Sequence, residues 1–284
     1  MIDELLIRVT FKCNKKCRFC FNNVFEDRVN YDSDNKMDIE KICSFVKRHN
    51  VTKVHLSGGE PTMYMDIYSL SKNLSEYTKV SYFTNGMLFK RFTVDEVSNM
   101  GISTVKVSLY EDECIPDICR KISDIKRKNP SMKFKASLMI ASDFFCVIKS
   151  EDYKEAEKVF DNIKWQPLTV PKDNSLYPTT IEAMSSQERE KIFMVLRKYP
   201  DNKVYAYEKV LNGEIPKKCF MGKNYLTMNP DMTISICPHL NEVKTLTIEE
   251  YEKILDRDFF INPTCRSLRC IQLQAFLERK YGDE

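Results

Sequence analysis

The 284 residues are 43% hydrophobic and 30% charged, enough apolar material for one substantial core plus a small appended domain and too much for a disordered or fibrous chain. Forty-four basic residues stand against 41 acidic ones, a net charge of +3, and the signs are interspersed from end to end, which argues against bulk nucleic acid as a partner. No window approaches the roughly 20 consecutive apolar residues of a membrane span, and Met1 leads into Asp3 and Glu4 with no basic, apolar leader, so no membrane association and a cytoplasmic location are expected.

Short β-branched runs at 5–10, 53–57, 80–84, 103–108, 133–140 and 163–167 alternate with helical periodicities near 38–50, 66–77, 93–99, 116–128 and 151–162. A further helix is expected at 186–198, and Thr93 with Glu96 and Ser185 with Glu188 form capping boxes. Six strands alternating with helices predict an α/β fold, a partial (β/α)6 TIM-like barrel whose chemistry sits at the carboxyl ends of the strands. The stretch 168–180 reads as a long connection able to act as a lid. Past residue 200 the pattern changes to a hairpin at 225–236 about Pro230-Asp231, a helix from Thr247 with Glu250 as its box partner, and four cysteines. The expected division is therefore a barrel over 1–200 and a small α+β, cysteine-rich domain over 201–284.

Eleven cysteines at uneven spacing suit thiolate ligands better than a disulfide framework. Directly after the first strand comes Cys13-Asn-Lys-Lys-Cys17-Arg-Phe-Cys20. A loop this short can wrap three thiolates round one iron–sulfur cube and leave one iron open, whereas a closed zinc site needs a fourth ligand nearby and none of the three histidines is there.

This spacing, C-x3-C-x2-C with the aromatic Phe19 before the last cysteine, resembles the radical SAM enzymes, as does Gly58-Gly59-Glu60-Pro61 at the end of the second strand. The resemblance implies a 4Fe-4S cluster on Cys13, Cys17 and Cys20 whose open iron chelates S-adenosylmethionine, and reductive cleavage of that cofactor to a 5′-deoxyadenosyl radical. It also implies a flavodoxin or ferredoxin-type reductant. Paired Gly58 and Gly59 let backbone approach the methionyl ammonium, while Glu60 either supplies charge or fixes the turn ahead of Pro61. Asn85, Ser108 and Phe19 are the remaining cofactor-site candidates.

Cys219, Cys237, Cys265 and Cys270 would close either a second 4Fe-4S cluster or a tetrahedral zinc. Their layout resembles the auxiliary-cluster domain called Twitch, a shortened SPASM domain, although Met232 stands where the turn glycine is expected and the final pair is spaced C-x4-C. Cys43, Cys114, Cys119 and Cys146 read as inert packing thiols, and His55 as a satisfied core histidine. Trp165 is either a core tryptophan or a ring that stacks on adenine or substrate.

Hydrogen abstraction from an unactivated C–H bond is the first step implied; its substrate is open between classes. A peptide maturase is expected to carry a precursor-binding domain ahead of the first strand, and only twelve residues precede Cys13, so a small polar molecule is preferred. The small enzymes of this family that act on sugars and nucleosides, among them the queuine lyases, are similar in size and layout, which makes a modified nucleoside the leading substrate and a sugar or aminocyclitol dehydrogenase the alternative. Candidate substrate contacts are Ser108, Tyr110, Trp165, Gln166, Lys172, Asn174, Tyr177, Lys223, Asn224, Tyr225 and His239.

Overall fold

A computed structural model describes residues 2–20, 36–109, 115–140, 151–168, 175–197, 208, 211–212, 218–236, 245–255 and 259–260. Six parallel strands, β1 (Glu4–Thr10), β2 (Lys53–Gly58), β3 (Lys79–Thr84), β4 (Ile102–Ser108), β5 (Lys133–Ile140) and β6 (Asn162–Pro167), lie side by side in sequence order. Consecutive parallel neighbours joined by right-handed crossovers place every connecting helix on one face, the arrangement of a curled, TIM-like sheet.

Those helices are α1 (Ile39–Arg48), α2 (Ile67–Leu74), α3 (Leu88–Arg91), α4 (Val94–Asn99), α5 (Ile115–Lys128) and α6 (Glu151–Val159), followed by α7 (Ser186–Leu196). Local chemistry starts them where the sequence indicates. Asp38 caps α1 by accepting from Lys41 N at 2.9 Å, and the Thr93/Glu96 box forms in both halves, as does the Ser185/Glu188 pair. The short α3 and a 3-10 turn at Pro61–Met63 are additions to the expected elements, both too brief for a periodicity to register.

The core lies between the helices and one face of the sheet. Ile7, Leu56, Tyr82, Val105, Phe134 and Trp165 from the strands are buried against residues such as Phe45, Leu70, Ile122 and Ala156. Buried parallel strands usually read as continuous apolar runs. Here they alternate: Glu4 and Arg8, His55, Ser81, Lys106, Lys135 and Lys164 hold most of the other positions, with Leu6, Phe83 and Met139 between them, so the face turned away from the helices is largely polar.

β7 (Lys218–Cys219) pairs antiparallel with β10 (Phe259–Phe260), and α8 (Ile248–Glu252) carries the expected Thr247/Glu250 box. The hairpin forms from β8 (Tyr225–Met228) and β9 (Ile234–Ser235), with Met232 at φ +64° in the place expected for glycine. One feature of it differs from expectation. β8 is hydrogen-bonded in parallel to β1, Glu4 opposite Tyr225 and Ile7 opposite Met228, so a single eight-stranded sheet crosses the 200/201 boundary. No helix among the described residues is long and apolar enough to cross a membrane.

Candidate active site at the cysteine loop

The ends of β1, β2 and β3 meet at the cysteine loop. Gly59 N donates to Thr10 O at 2.7 Å and Glu60 N to Lys12 O at 2.9 Å, so the Gly58-Gly59 turn is pinned to the chain leading into Cys13. A Cβ on Gly59 would lie 2.2 Å from Lys12 O, and one on Gly58, where φ is +137°, 2.1 Å from Thr10 O. Only glycine allows these backbones to touch.

Glu60 locks the same corner from beneath. It is 0% exposed and accepts from Thr62 N and Oγ1, from Thr84 Oγ1 at 3.1 Å and from Asn85 N at 2.8 Å. Burial pushes its carboxyl up, and those donors act against the rise. Of its two expected roles, the structure gives Glu60 that of fixing the turn.

Asn85 reaches the cysteine loop itself. Its Nδ2 donates to Asn14 Oδ1 at 2.9 Å and lies 3.6 Å from Cys13 Sγ, while Lys15 N donates to the same sulfur at 3.4 Å. Such N–H groups stabilise a thiolate; burial, the first influence on Cys13, and the nearby Glu60 push its thiol up. Cys13 is exposed and Cys17 and Cys20 half-buried, with a turn closed by Cys20 N on Cys17 O at 3.1 Å.

No three His, Cys, Asp or Glu side chains among the described residues gather on one point as round a single ion. Tetrahedral zinc requires sulfurs about 3.8 Å apart, from Zn–S bonds of ~2.3 Å; an iron–sulfur cube asks each thiolate to meet a different iron. Accessible thiols, sulfur-directed N–H donors and a glycine cradle fit the cube.

Residues 7–162 match the profile of the Radical SAM superfamily. The chain belongs to this superfamily. Its relatives include a probable GTP 3′,8-cyclase of Archaeoglobus fulgidus, 33% identical over 110 residues (38% of this chain, 36% of that protein), and the GTP 3′,8-cyclase of Clostridium perfringens, 34% identical over 114 residues (38% and 34%). The matched stretch thus covers about a third of these relatives' own length. Among solved structures, Streptococcus suis SuiB bound to S-adenosylmethionine superposes with a TM-score of 0.60 at 17% identity, covering 89% of this chain and 64% of that one. Native anSMEcpe with bound AdoMet and Cp18Cys peptide gives 0.57 at 17%, covering 95% and 87%. This radical SAM fold accounts for the parallel sheet and for the cysteine loop at its carboxyl edge.

Five expected contacts lie elsewhere. Trp165 is 2% exposed on the helix-facing side, its ring 5.8 Å from that of Tyr153 in α6, because strand alternation turns residue 165 outward with Ile163. It is a core residue. Tyr225, Lys223 and Asn224 lie at the amino end of the sheet: Tyr225 pairs with Glu4, Asn224 O accepts from Asp3 N, and the carboxyl end is six residues, about 20 Å, further along β1. The parallel pairing of β8, invisible to hairpin reasoning, inverts their placement. Phe19 packs with Leu168 and Leu176, with Cys17 and Tyr177 at the margin of that small apolar group.

Ser108 ends β4 opposite Ser137, and the backbone of Gln166 lies opposite Met139 one residue before the end of β6. Cys219 enters through its backbone, opposite Phe259. Tyr110, Lys172, Asn174, His239, Cys237, Cys265, Cys270, Cys114 and Cys146 lie outside the described residues. His55 is buried, with Nε2 2.8 Å from Glu4 Oε2, and burial holds its imidazole down at about 4, so the neutral ring donates to the Glu4 carboxylate.

Proposed function

We propose that the chain cleaves S-adenosylmethionine reductively and abstracts hydrogen from a polar small molecule of the nucleoside or nucleotide class. The observation that carries the first half is the cysteine loop fastened to the Gly58-Gly59-Glu60 turn. A reduced 4Fe-4S cluster on Cys13, Cys17 and Cys20 supplies, when bound, the electron that splits S-adenosylmethionine into methionine and a 5′-deoxyadenosyl radical.

The protein's own part is to bind and orient. Backbone at Gly58 and Gly59, ahead of Pro61, presents groups to the methionyl end, and Ser108 at the neighbouring strand terminus meets the ribose or carboxylate. Asn85 and Glu60 hold the loop rather than the cofactor. A flavodoxin or ferredoxin-type protein delivers the electron. Cys219, Cys237, Cys265 and Cys270 bind an auxiliary 4Fe-4S cluster in a Twitch-like arrangement; β7 pairing with Phe259, six residues before Cys265, supports this.

Similarity to proteins named GTP 3′,8-cyclase and the polar inner face of the sheet support a nucleoside-class substrate. Release of queuine from queuosine or its 5′-monophosphate is the particular reaction we infer. The test offers reconstituted, reduced protein queuosine, queuosine 5′-monophosphate, GTP, an aminocyclitol and a peptide fraction, and follows substrate loss together with 5′-deoxyadenosine. Turnover of a nucleoside or nucleotide supports the reading. Aminocyclitol oxidation, or peptide modification with the nucleosides untouched, overturns it.

A further inference from the structure

The inner face of the sheet carries charge that stability does not call for. Arg8 on β1, Lys53 on β2, Lys106 on β4, Lys135 on β5 and Lys164 on β6 share the parity that turns away from the helices. Glu4 is the carboxylate those strands set among them. Contacts fix the face: His55 lies edge-on to Phe83 at 5.5 Å and stacks on Tyr225, while Lys106 Nζ sits 4.4 Å above the Phe83 ring. Arg8, 4% exposed, donates to Asn229 Oδ1 at 3.3 Å, which brings β8 into the same wall.

Hydroxyls on this face point the same way. Ser81 and Thr227 are 0% exposed, and Ser81 Oγ, Thr227 Oγ1 and Ser137 Oγ have no hydrogen-bond partner among the described residues. Buried hydroxyls are normally paired, and leaving one bare is costly. Clustered cations together with unpaired donors form a lining complementary to an oxyanion.

We propose that the inner face binds a phosphate-bearing part of the substrate, with Lys106 at the centre of the anion site. This deepens the proposed function, on which it rests for the identity of the substrate, and makes that substrate a nucleotide in preference to a nucleoside. Free of ligand, Lys106 is driven down to about 7 by burial and by the charges of Lys53, Lys164 and Lys135, against which Glu4 acts; neutral His55 and the Phe83 ring complete its surroundings. A bound phosphate restores the missing proton, so binding takes up protons at pH 8.

The experiment titrates reconstituted holoenzyme with pyrophosphate, GTP and guanosine by calorimetry in two buffers of different ionisation enthalpy. Wild type should bind pyrophosphate and GTP with proton uptake and hold guanosine at least tenfold more weakly. Lys106→Met should weaken both phosphate probes by about tenfold or more, Lys106→Arg should restore them, and exposed Lys90→Met should change nothing. The melting temperature of Lys106→Met should equal or exceed wild type, since a crowded buried charge is removed; should that variant fail to fold, Lys164→Met provides the same reading. Tight pyrophosphate binding by Lys106→Met, or a wild type that binds guanosine as well as GTP, overturns the proposal. Absence of S-adenosylmethionine cleavage, measured separately, would instead strike the radical reading and leave the anion site standing.

Discussion

Replacing Gly59 by alanine tests the joint between the Gly-Gly turn and the cysteine loop. The added Cβ falls 2.2 Å from Lys12 O and 2.6 Å from Phe11 O, both backbone atoms. Moving from 2.2 Å to the 3.4 Å where ordinary contact begins requires the two segments to part by about 1.2 Å. That movement breaks Gly59 N to Thr10 O and Glu60 N to Lys12 O. Two such bonds, each worth about 1–3 kcal/mol when its groups are left unpaired, put the cost at roughly 2–6 kcal/mol. Relaxation should fall on the loop, because β1 is held on both sides by β2 and β8. The expected result is a melting temperature lowered by several degrees, iron per chain after anaerobic reconstitution reduced by about one cluster, four irons, and weakened S-adenosylmethionine binding. Wild-type stability, iron content and cofactor affinity in Gly59→Ala would refute the argument that backbone contact here sets the position of Cys13.

Glu60→Gln keeps the shape of the buried carboxylate but turns an amide group toward donors, and should cost about 1–3 kcal/mol in urea unfolding; an unchanged midpoint would contradict the hydrogen-bond account. Trp165→Ala should lose about 3–5 kcal/mol while the variant's iron content stays at the wild-type value, whereas a selective loss of turnover at full stability would return Trp165 to the active site. His55 titrates at about 4 in the fold against 6.5 unfolded, so the unfolded chain binds the extra proton between those values and stability falls as pH drops from 6.5 to 4, by about 3 kcal/mol at most. His55→Gln should flatten that window in denaturant titrations and also narrow the lower one, from 4.5 to about 2, in which Glu4 loses its charge, because the hydrogen bond and charge of His55 lead the influences that hold Glu4 down. Elemental analysis should find about eight irons per chain and no stoichiometric zinc; one zinc with four irons would remove the auxiliary cluster.

Much of the fold was legible because its signals are local. Strand and helix alternation, Asp38 and Thr93 as caps, and the reach of Cys13 to Cys20 all act within a few residues. The anchoring of the cysteine loop by Asn85 is half legible: its place at the end of the third strand marks the residue, but its partners, 71 and 72 positions away, arise only from the parallel stacking of β1 to β3. The hairpin motif misplaces Tyr225, since it says how β8 and β9 pair with each other and nothing about the edge they join. Trp165 followed the commoner of its two expectations, since strand parity fixes the face whatever the chemistry of the side chain. The missed signal was plain in the sequence: Lys106, Lys135 and Lys164 occupy alternate positions of parallel strands that ordinarily read as continuous apolar runs.

The central claim, that this cysteine loop drives cleavage of S-adenosylmethionine, is tested most directly by 5′-deoxyadenosine formation. Anaerobically reconstituted protein, reduced with dithionite and supplied with S-adenosylmethionine, should release 5′-deoxyadenosine, and a variant with Cys13, Cys17 and Cys20 all changed to alanine should release none while retaining about four irons, those of the auxiliary cluster. Formation of 5′-deoxyadenosine by that triple variant at the wild-type rate would contradict the account.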